Sequence, residues 1–223
     1  DMDFETAPAV KEAVMRRAVH GIYGYTLIPD KWYDAITGWW RERHGFMLDR
    51  DWLCFCTGVI PAISSAVKRV TNVGDRVVLL TPVYDIFYHS VENAGRTVLE
   101  SRLSYRNGEY DIDFYDLEKK LSDPLCTMMI LCNPHNPVGK IWTPDELADI
   151  GELCRRHGVT VLSDEIHCDL IRTGLRHIPM GKIMPDYDKL ITTMSASKTF
   201  NLAGMLFSNI IIRSNEERQR FQD

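Results

Sequence analysis

Two apolar runs of strand length, Met128-Met129-Ile130-Leu131-Cys132 and Val159-Thr160-Val161-Leu162-Ser163, enclose a well-marked helix, and that pairing limits what the chain can fold into. Thr143 can cap the helix, Pro144 fits its first turn, and Glu146 stands three residues after Thr143, as a capping box requires. Leu147, Ile150, Gly151 and Cys154 share one helical face, and Gly158 ends the helix. Strand, helix and strand at this spacing predict a parallel βαβ unit with a right-handed crossover. The fold class is α/β.

Further elements read in the same way. Trp52–Cys56, Val77–Leu80, Thr97–Leu99, Leu190–Met194 and Ser208–Arg213 are strand candidates. Ile63, Ala66, Val67 and Val70 mark one helix, and Phe114, Leu117 and Leu121 mark another over Asp113–Leu121, with Glu118-Lys119-Lys120 as its solvated face. Pro8–Tyr23 reads as a helix with Val10, Val14, Ala18 and Ile22 on one side, and His20 as a surface or helix-end residue. Lys31–His44 carries Trp32, Ile36, Trp39, Trp40 and Arg43 at helical spacing, an aromatic stripe expected in a core or a subunit contact. The polar segment Asn215–Asp223 reads as the start of a helix.

Three of the apolar runs have chemistry at the same end. Asn136 follows the first, in Asn133-Pro134-His135-Asn136-Pro137-Val138-Gly139; Asp164 and His167 follow the second; Ser195-Ala196-Ser197-Lys198 follows Leu190–Met194. In open α/β sheets ligands bind beyond the carboxyl ends of the strands. A lysine there, flanked by two hydroxyls, suits a Schiff base to a carbonyl cofactor with the serines near a phosphate. Alone, the stretch is better described as a surface lysine in a serine-rich loop; the two companion loops reverse that and argue for a site.

Thr57-Gly58-Val59-Ile60-Pro61-Ala62 adds a fourth part, between a short strand and a helix. Gly58 lets the backbone approach a ligand, and unpaired amides at a helix start can seat a phosphate. A plain strand-to-helix turn fits the same residues. Ser195 and Ser197 as partners favour the phosphate seat.

Taken together, these residues resemble the pyridoxal 5'-phosphate (PLP) enzymes of the class I/II aminotransferase family, fold type I, and within it the cystathionine β-lyase-like C–S lyases. The resemblance is carried by Asp1-Met2-Asp3-Phe4, Gly24-Tyr25-Thr26, Thr81-Pro82-Val83-Tyr84, Pro134 to Gly139, Asp164-Glu165-Ile166-His167 and Ser195 to Gly204. Met2-Asp3-Phe4, His135, His167 and Phe200-Asn201-Leu202-Ala203-Gly204 carry the narrower likeness. It implies a three-layer αβα large domain with a mostly parallel central sheet. Residues 1–223 would form that PLP-binding domain, with a helical arm over about 1–45. Lys198 would hold PLP and move the substrate's α-proton; Asp164 would pair with the ring nitrogen, keeping it protonated. Asn136 would donate to the phenolic oxygen, and Tyr84 would stack on the ring. Gly58, Val59, Ile60, Ser195 and Ser197 would hold the phosphate. Tyr25 would reach the phosphate of a neighbouring subunit, which implies a homodimer with shared sites.

Two positions depart from the wider family. His167 stands where many aminotransferases have a tyrosine, as in the lyase-like branch. Leu206 stands where many have a phosphate-binding arginine, which removes a bidentate donor and leaves the phosphate to the remaining groups. The resemblance also implies a C-terminal small domain, outside this chain, with the arginine for the substrate's α-carboxylate.

Composition bounds the rest. With 223 residues and 45% hydrophobic content the chain can bury a full core. A net charge of −5 offers no footprint for nucleic acid, and no apolar run reaches the length of a membrane span. No signal peptide is visible, and scattered cysteines such as Cys54, Cys56 and Cys132 read as buried reduced thiols, so a cytoplasmic enzyme is expected. Cys54-Phe55-Cys56 lacks a second pair, and no metal is expected. The sequence favours a C–S β-lyase acting on cystathionine or related cysteine conjugates. An aminotransferase, and a regulatory protein that uses the domain to bind a partner, remain as alternatives.

Overall fold

The strand at Arg76–Thr81 is buried from its second residue to its last, with Val77 and Leu79 packed on one side and Val78 and Leu80 on the other. A strand covered on both faces needs a layer of helices above and below it. The computed structural model describes residues 2–25 and 27–222, so Asp1 and Thr26 of the two N-terminal motifs lie outside the described residues. In chain order its elements are α1 (Pro8–His20), α2 (Asp30–His44), β1 (Leu53–Cys56), α3 (Val59–Val70), β2 (Arg76–Thr81), α4 (Ile86–Glu92), β3 (Thr97–Arg102), β4 (Ser104–Arg106) and β5 (Glu109–Asp111). There follow α5 (Phe114–Leu121), β6 (Cys126–Cys132), α6 (Pro144–His157), β7 (Thr160–Asp164), α7 (Met180–Ile183), β8 (Leu190–Met194), α8 (Ala196–Thr199), β9 (Ser208–Ile212) and α9 (Asn215–Gln222).

Seven strands form one sheet in the order β1-β9-β8-β7-β6-β2-β3. Pairing is parallel from β8 to β3, and β9 runs antiparallel to both of its neighbours. The expected βαβ unit is β6-α6-β7, with the Thr143–Glu146 capping box formed and Gly158 in the left-handed region at the helix end. One face of the sheet packs on α5, α6 and α7 through Leu117, Leu147, Ile150 and Met180. The other packs on α3 and α4 through Ala62, Ile63, Val67 and Phe87. This is a three-layer αβα architecture.

One boundary needs correction, one open reading is resolved, and one element was not anticipated. α1 ends at His20 rather than Tyr23, because Gly21 takes a left-handed conformation and closes it, and none of its residues is buried. The aromatic stripe of α2 is covered by its own chain: Trp40 is fully buried against Met194 and Ile211, and Trp39 meets Phe200 edge-on at 5.3 Å. It gives no support to a subunit contact. A small hairpin, β4-β5, also went unread, although Asn107 and Gly108 both take the positive φ that a tight two-residue turn requires.

No helix of the described residues is long and apolar enough to cross a membrane. The sheet aims α3 with its start at the strands' carboxyl ends, and the far end of that helix is held by a buried arginine. Arg96 donates to Thr71 Oγ1 (2.9 Å), to the carbonyls of Thr71 (2.6 Å) and Lys68 (3.3 Å), and to that of Ala94. A cation among last-turn carbonyls also complements the helix dipole. Arg96→Met in the full-length protein should cost about 3 kcal/mol by urea denaturation, because buried carbonyls lose their donors. A loss under about 1 kcal/mol would show that water replaces the guanidinium there.

Candidate active site

Beyond the carboxyl ends of β6, β7 and β8 lies a cavity of about 330 Å³ lined by Gly58, Tyr84, Asn136, Asp164, His167 and Lys198, among others. Val59, Ile60, Ser195 and Ser197 also line it. The strands bring these residues together by register: Cys132 lies opposite Asp164 in β6-β7, and Asp164 opposite Thr193 in β7-β8.

Asp164 is the last residue of β7 and is 4% exposed. Its Oδ1 accepts from the Ile166 amide and from Thr193 Oγ1, both at 3.2 Å. Burial pushes its pKa up to about 7 against those two donors. A carboxylate raised in this way loses folded-state stability as pH climbs towards 7, unless a cation enters the cavity and favours its ionised form. Thr193 escaped the sequence reading: its polarity was visible, but its partner depends on strand register.

Lys198 sits in the single turn of α8. Among the described residues its amine makes no hydrogen bond or ion pair. Ser195 starts that turn by accepting from the Ser197 amide (3.1 Å) and donates to the Phe207 carbonyl (2.7 Å), so its hydroxyl is engaged with the protein. The Ser197 hydroxyl has no partner among the described residues. His167 is half-buried; desolvation, with the Lys198 charge adding to it, lowers its pKa and leaves the ring neutral at physiological pH.

α3 begins at the cavity, and no side chain caps it, so its first-turn amides are available to a ligand. A Cβ on Gly58 would come within 3.2 Å of Pro61 Cδ, which keeps that approach glycine-sized. The opposite wall is stitched together. The Tyr84 amide donates to the Asn136 carbonyl (3.1 Å), His135 Nε2 lies 2.9 Å from the Pro82 carbonyl, and Trp142 Nε1 donates to the Cys132 carbonyl (2.8 Å). Tyr84 meets Phe87 edge-on at 5.9 Å. Leu206, where the sequence departs from the family arginine, also lines the cavity.

Tyr25 does not line the cavity of its own chain and is fully exposed. Met2 and Phe4, by contrast, dock beside the site: Asn201 Nδ2 donates to both of their carbonyls at 2.7 Å. Met2 then shares a smaller cavity with His167, Leu170 and Lys198. Two separate pieces of the narrower resemblance, at the start of the chain and after the lysine, therefore touch. The six cysteines are free thiols. Among the described residues, His44, Cys168 and Asp169, rather than Cys54 and Cys56, have ligand atoms close enough for a metal, within 4.8 Å of one another.

Comparison with known proteins agrees with this geometry. The family model for aminotransferase class I and II matches residues 1–217. Cystathionine beta-lyase PatB of Bacillus subtilis is 48% identical over 99% of this chain, and Protein MalY of Escherichia coli is 37% identical over the same share. The chain spans 57% and 56% of the lengths of those two relatives. Among solved structures, the PLP-bound C-S lyase from Staphylococcus hominis superposes with a TM-score of 0.96 at 38% identity, over 100% of this chain and 57% of that one. Cystalysin from Treponema denticola, whose structure contains pyridoxal 5'-phosphate, gives a TM-score of 0.96 at 38% identity over 99% of this chain and 56% of that one. The architecture is that of fold type I, and the chain belongs to the aminotransferase class I and II family.

Proposed function

We propose that the whole protein is a PLP-dependent C–S β-lyase that converts cystathionine or a related cysteine conjugate into a thiol, pyruvate and ammonia. The observation that carries this reading is the pairing, across one cavity, of a buried carboxylate that has no bonded cation with a lysine amine that makes no hydrogen bond or ion pair among the described residues. An uncapped helix start and an aromatic ring complete a donor set that fits a flat, phosphorylated aldehyde with a basic ring nitrogen. The names of the relatives, a cystathionine beta-lyase and a PLP-bound C-S lyase, support the same choice. Residues 1–223 act in it as the cofactor-binding large domain, and a C-terminal small domain beyond them carries the arginine for the substrate's α-carboxylate.

Each residue then has a task. Bound in the cavity, PLP supplies an electron sink for the substrate's α-carbon. Lys198 would be the covalent attachment point and would afterwards take the substrate's α-proton. Asp164 would accept from the ring N–H, and that cation would in turn lower the carboxylate's pKa, so each would favour the charged form of the other. Gly58, Val59 and Ile60 offer amides to the phosphate, Ser197 offers its hydroxyl, and Ser195 shapes the turn that presents Ser197 and Lys198. Asn136 would donate to the phenolic oxygen, with neutral His167 standing where many aminotransferases have a tyrosine for the same atom, and Tyr84 would stack on the ring face. Expulsion of a thiolate from the β-carbon needs no proton delivered to the cofactor, whereas transamination does.

The exposed Tyr25 fits a homodimer in which it completes the phosphate site of the partner. The apolar arm supports this, with Val19 87% exposed and Leu27 91% exposed. Free thiols fit the reducing cytoplasm.

Borohydride reduction of the full-length holoprotein should attach PLP to the peptide containing Lys198, and Lys198→Ala should lower turnover roughly 1,000-fold. Label on a different lysine would refute the attachment. Mixing Tyr25→Ala with Lys198→Ala subunits should restore activity, since one hybrid site contains both native residues; hybrids that form without activity would place Tyr25 outside the shared site. With cystathionine, full-length enzyme should release pyruvate, ammonia and homocysteine continuously without an added keto acid. Turnover that stops after one equivalent and resumes with a keto acid would make it an aminotransferase.

A further inference from the structure

Behind the cavity wall, five residues after Asp164, lies a second buried carboxylate that the proposed chemistry does not use. The Asp169 side chain is 3% exposed. Its Oδ2 accepts from Trp39 Nε1 at 3.0 Å and from Thr199 Oγ1 at 2.8 Å, while its Oδ1 lies 3.1 Å from His44 Nε2. Burial alone would raise its pKa, but His44, Thr199 and Trp39 outweigh that effect and hold the carboxyl below its usual range. Trp39 and His44 belong to α2, and Thr199 directly follows Lys198 in α8.

The opposite wall is anchored in the same place. Glu165, next to Asp164, is within 2.7 Å of His177 Nε2 and accepts from Ser163 Oγ and the Met180 amide, each at 2.9 Å. The His177 ring meets the His44 ring edge-on at 5.3 Å. The chain neighbours of Asp164 and of Lys198 thus enter one buried polar cluster.

α8 needs such an anchor. It is a four-residue turn with no buried residue, too short to hold its own shape through helical hydrogen bonds. Ser195 fixes its start. Past the lysine, Thr199 to Asp169 is the one side-chain hydrogen bond that α8 makes among the described residues, with Phe200 against Trp39 beside it.

We propose that Asp169 is a positioning residue for Lys198: through Thr199 it pins α8 to α2 and so sets where the lysine amine stands relative to Asp164. This rests on the reading of Lys198 as the PLP attachment point. A carboxylate serves the task because it accepts from Trp39 on α2 and Thr199 on α8 at one oxygen without a competing donor of its own. Displacement of the amine by about 1 Å can slow its attack on a carbonyl by about 100-fold while leaving the noncovalent phosphate and ring contacts intact.

The test is the rate at which full-length apoprotein captures PLP covalently, followed by stopped-flow absorbance. Noncovalent PLP affinity is measured in a Lys198→Ala background, and the thermal midpoint is measured alongside. Thr199→Val and Asp169→Asn should slow capture by about 10- to 100-fold, with noncovalent affinity within about twofold of its reference, and Thr199→Ser should restore capture. Should Asp169→Asn fail to fold, the nearly isosteric Thr199→Val and its serine counterpart decide the matter. Capture by Thr199→Val at the wild-type rate would overturn the proposal. So would a parallel fall in capture, noncovalent affinity and thermal midpoint that serine does not rescue, which marks a merely structural bond. Wild-type protein that forms no covalent band at Lys198 fails earlier, at the cofactor assignment, and takes this proposal with it.

Discussion

Asp164 ends a strand covered on both faces, and its carboxylate meets an amide and a hydroxyl but no cation close enough to bond. Water cannot reach it well, and two neutral donors do not offset the cost of burying its charge, so its pKa rises to about 7. Such a group is costly unless something else brings a positive charge to it. A protonated ring nitrogen would meet that need. In the proposed reading Lys198, across the cavity, would take the aldehyde, the start of α3 the phosphate, and the Asn136–Tyr84 wall the ring between them.

The sheet makes this possible because adjacent strands end in register. Cys132, Asp164 and Thr193 lie side by side across β6, β7 and β8, so the loops that follow must emerge together at one edge. Each loop is then tied back. Asn133 donates to the Asp164 carbonyl at 2.9 Å, and Glu165 to that of Thr193 at 2.9 Å. These backbone bonds continue the ladder one residue beyond the strands and give the side chains at that edge a rigid base. Helix α3 contributes from the other direction, its last carbonyls bonded to Arg96 and its first amides open to the cavity.

Local chemistry explains what could be read from the sequence. The capping box at Thr143 and Glu146, the helix stop at Gly158 and the polar residue closing each apolar run all depend on neighbours within a few positions, and all are found in the structure. The meeting of Asn136, Asp164 and Lys198 at one cavity was legible for that reason. What escaped depends on partners far along the chain. The bond from the Ser195 hydroxyl to the Phe207 carbonyl could not be read locally. Thr193 and Asp169 have roles only through strand register and a contact across 130 residues to Trp39. The α2 stripe showed periodicity, which reveals that a face is buried but not against what. The β4-β5 hairpin is a different case, since Asn107-Gly108 is a local signal that was present and unused.

The central claim is that Asp164 keeps a ring nitrogen protonated, and nuclear magnetic resonance of full-length protein loaded with PLP carrying 15N in the ring tests it most directly. The account predicts a protonated nitrogen at neutral pH in the wild type, and a shift to the unprotonated value in Asp164→Asn with PLP still bound. An unprotonated nitrogen in the wild type, or an identical shift in both proteins, would contradict it.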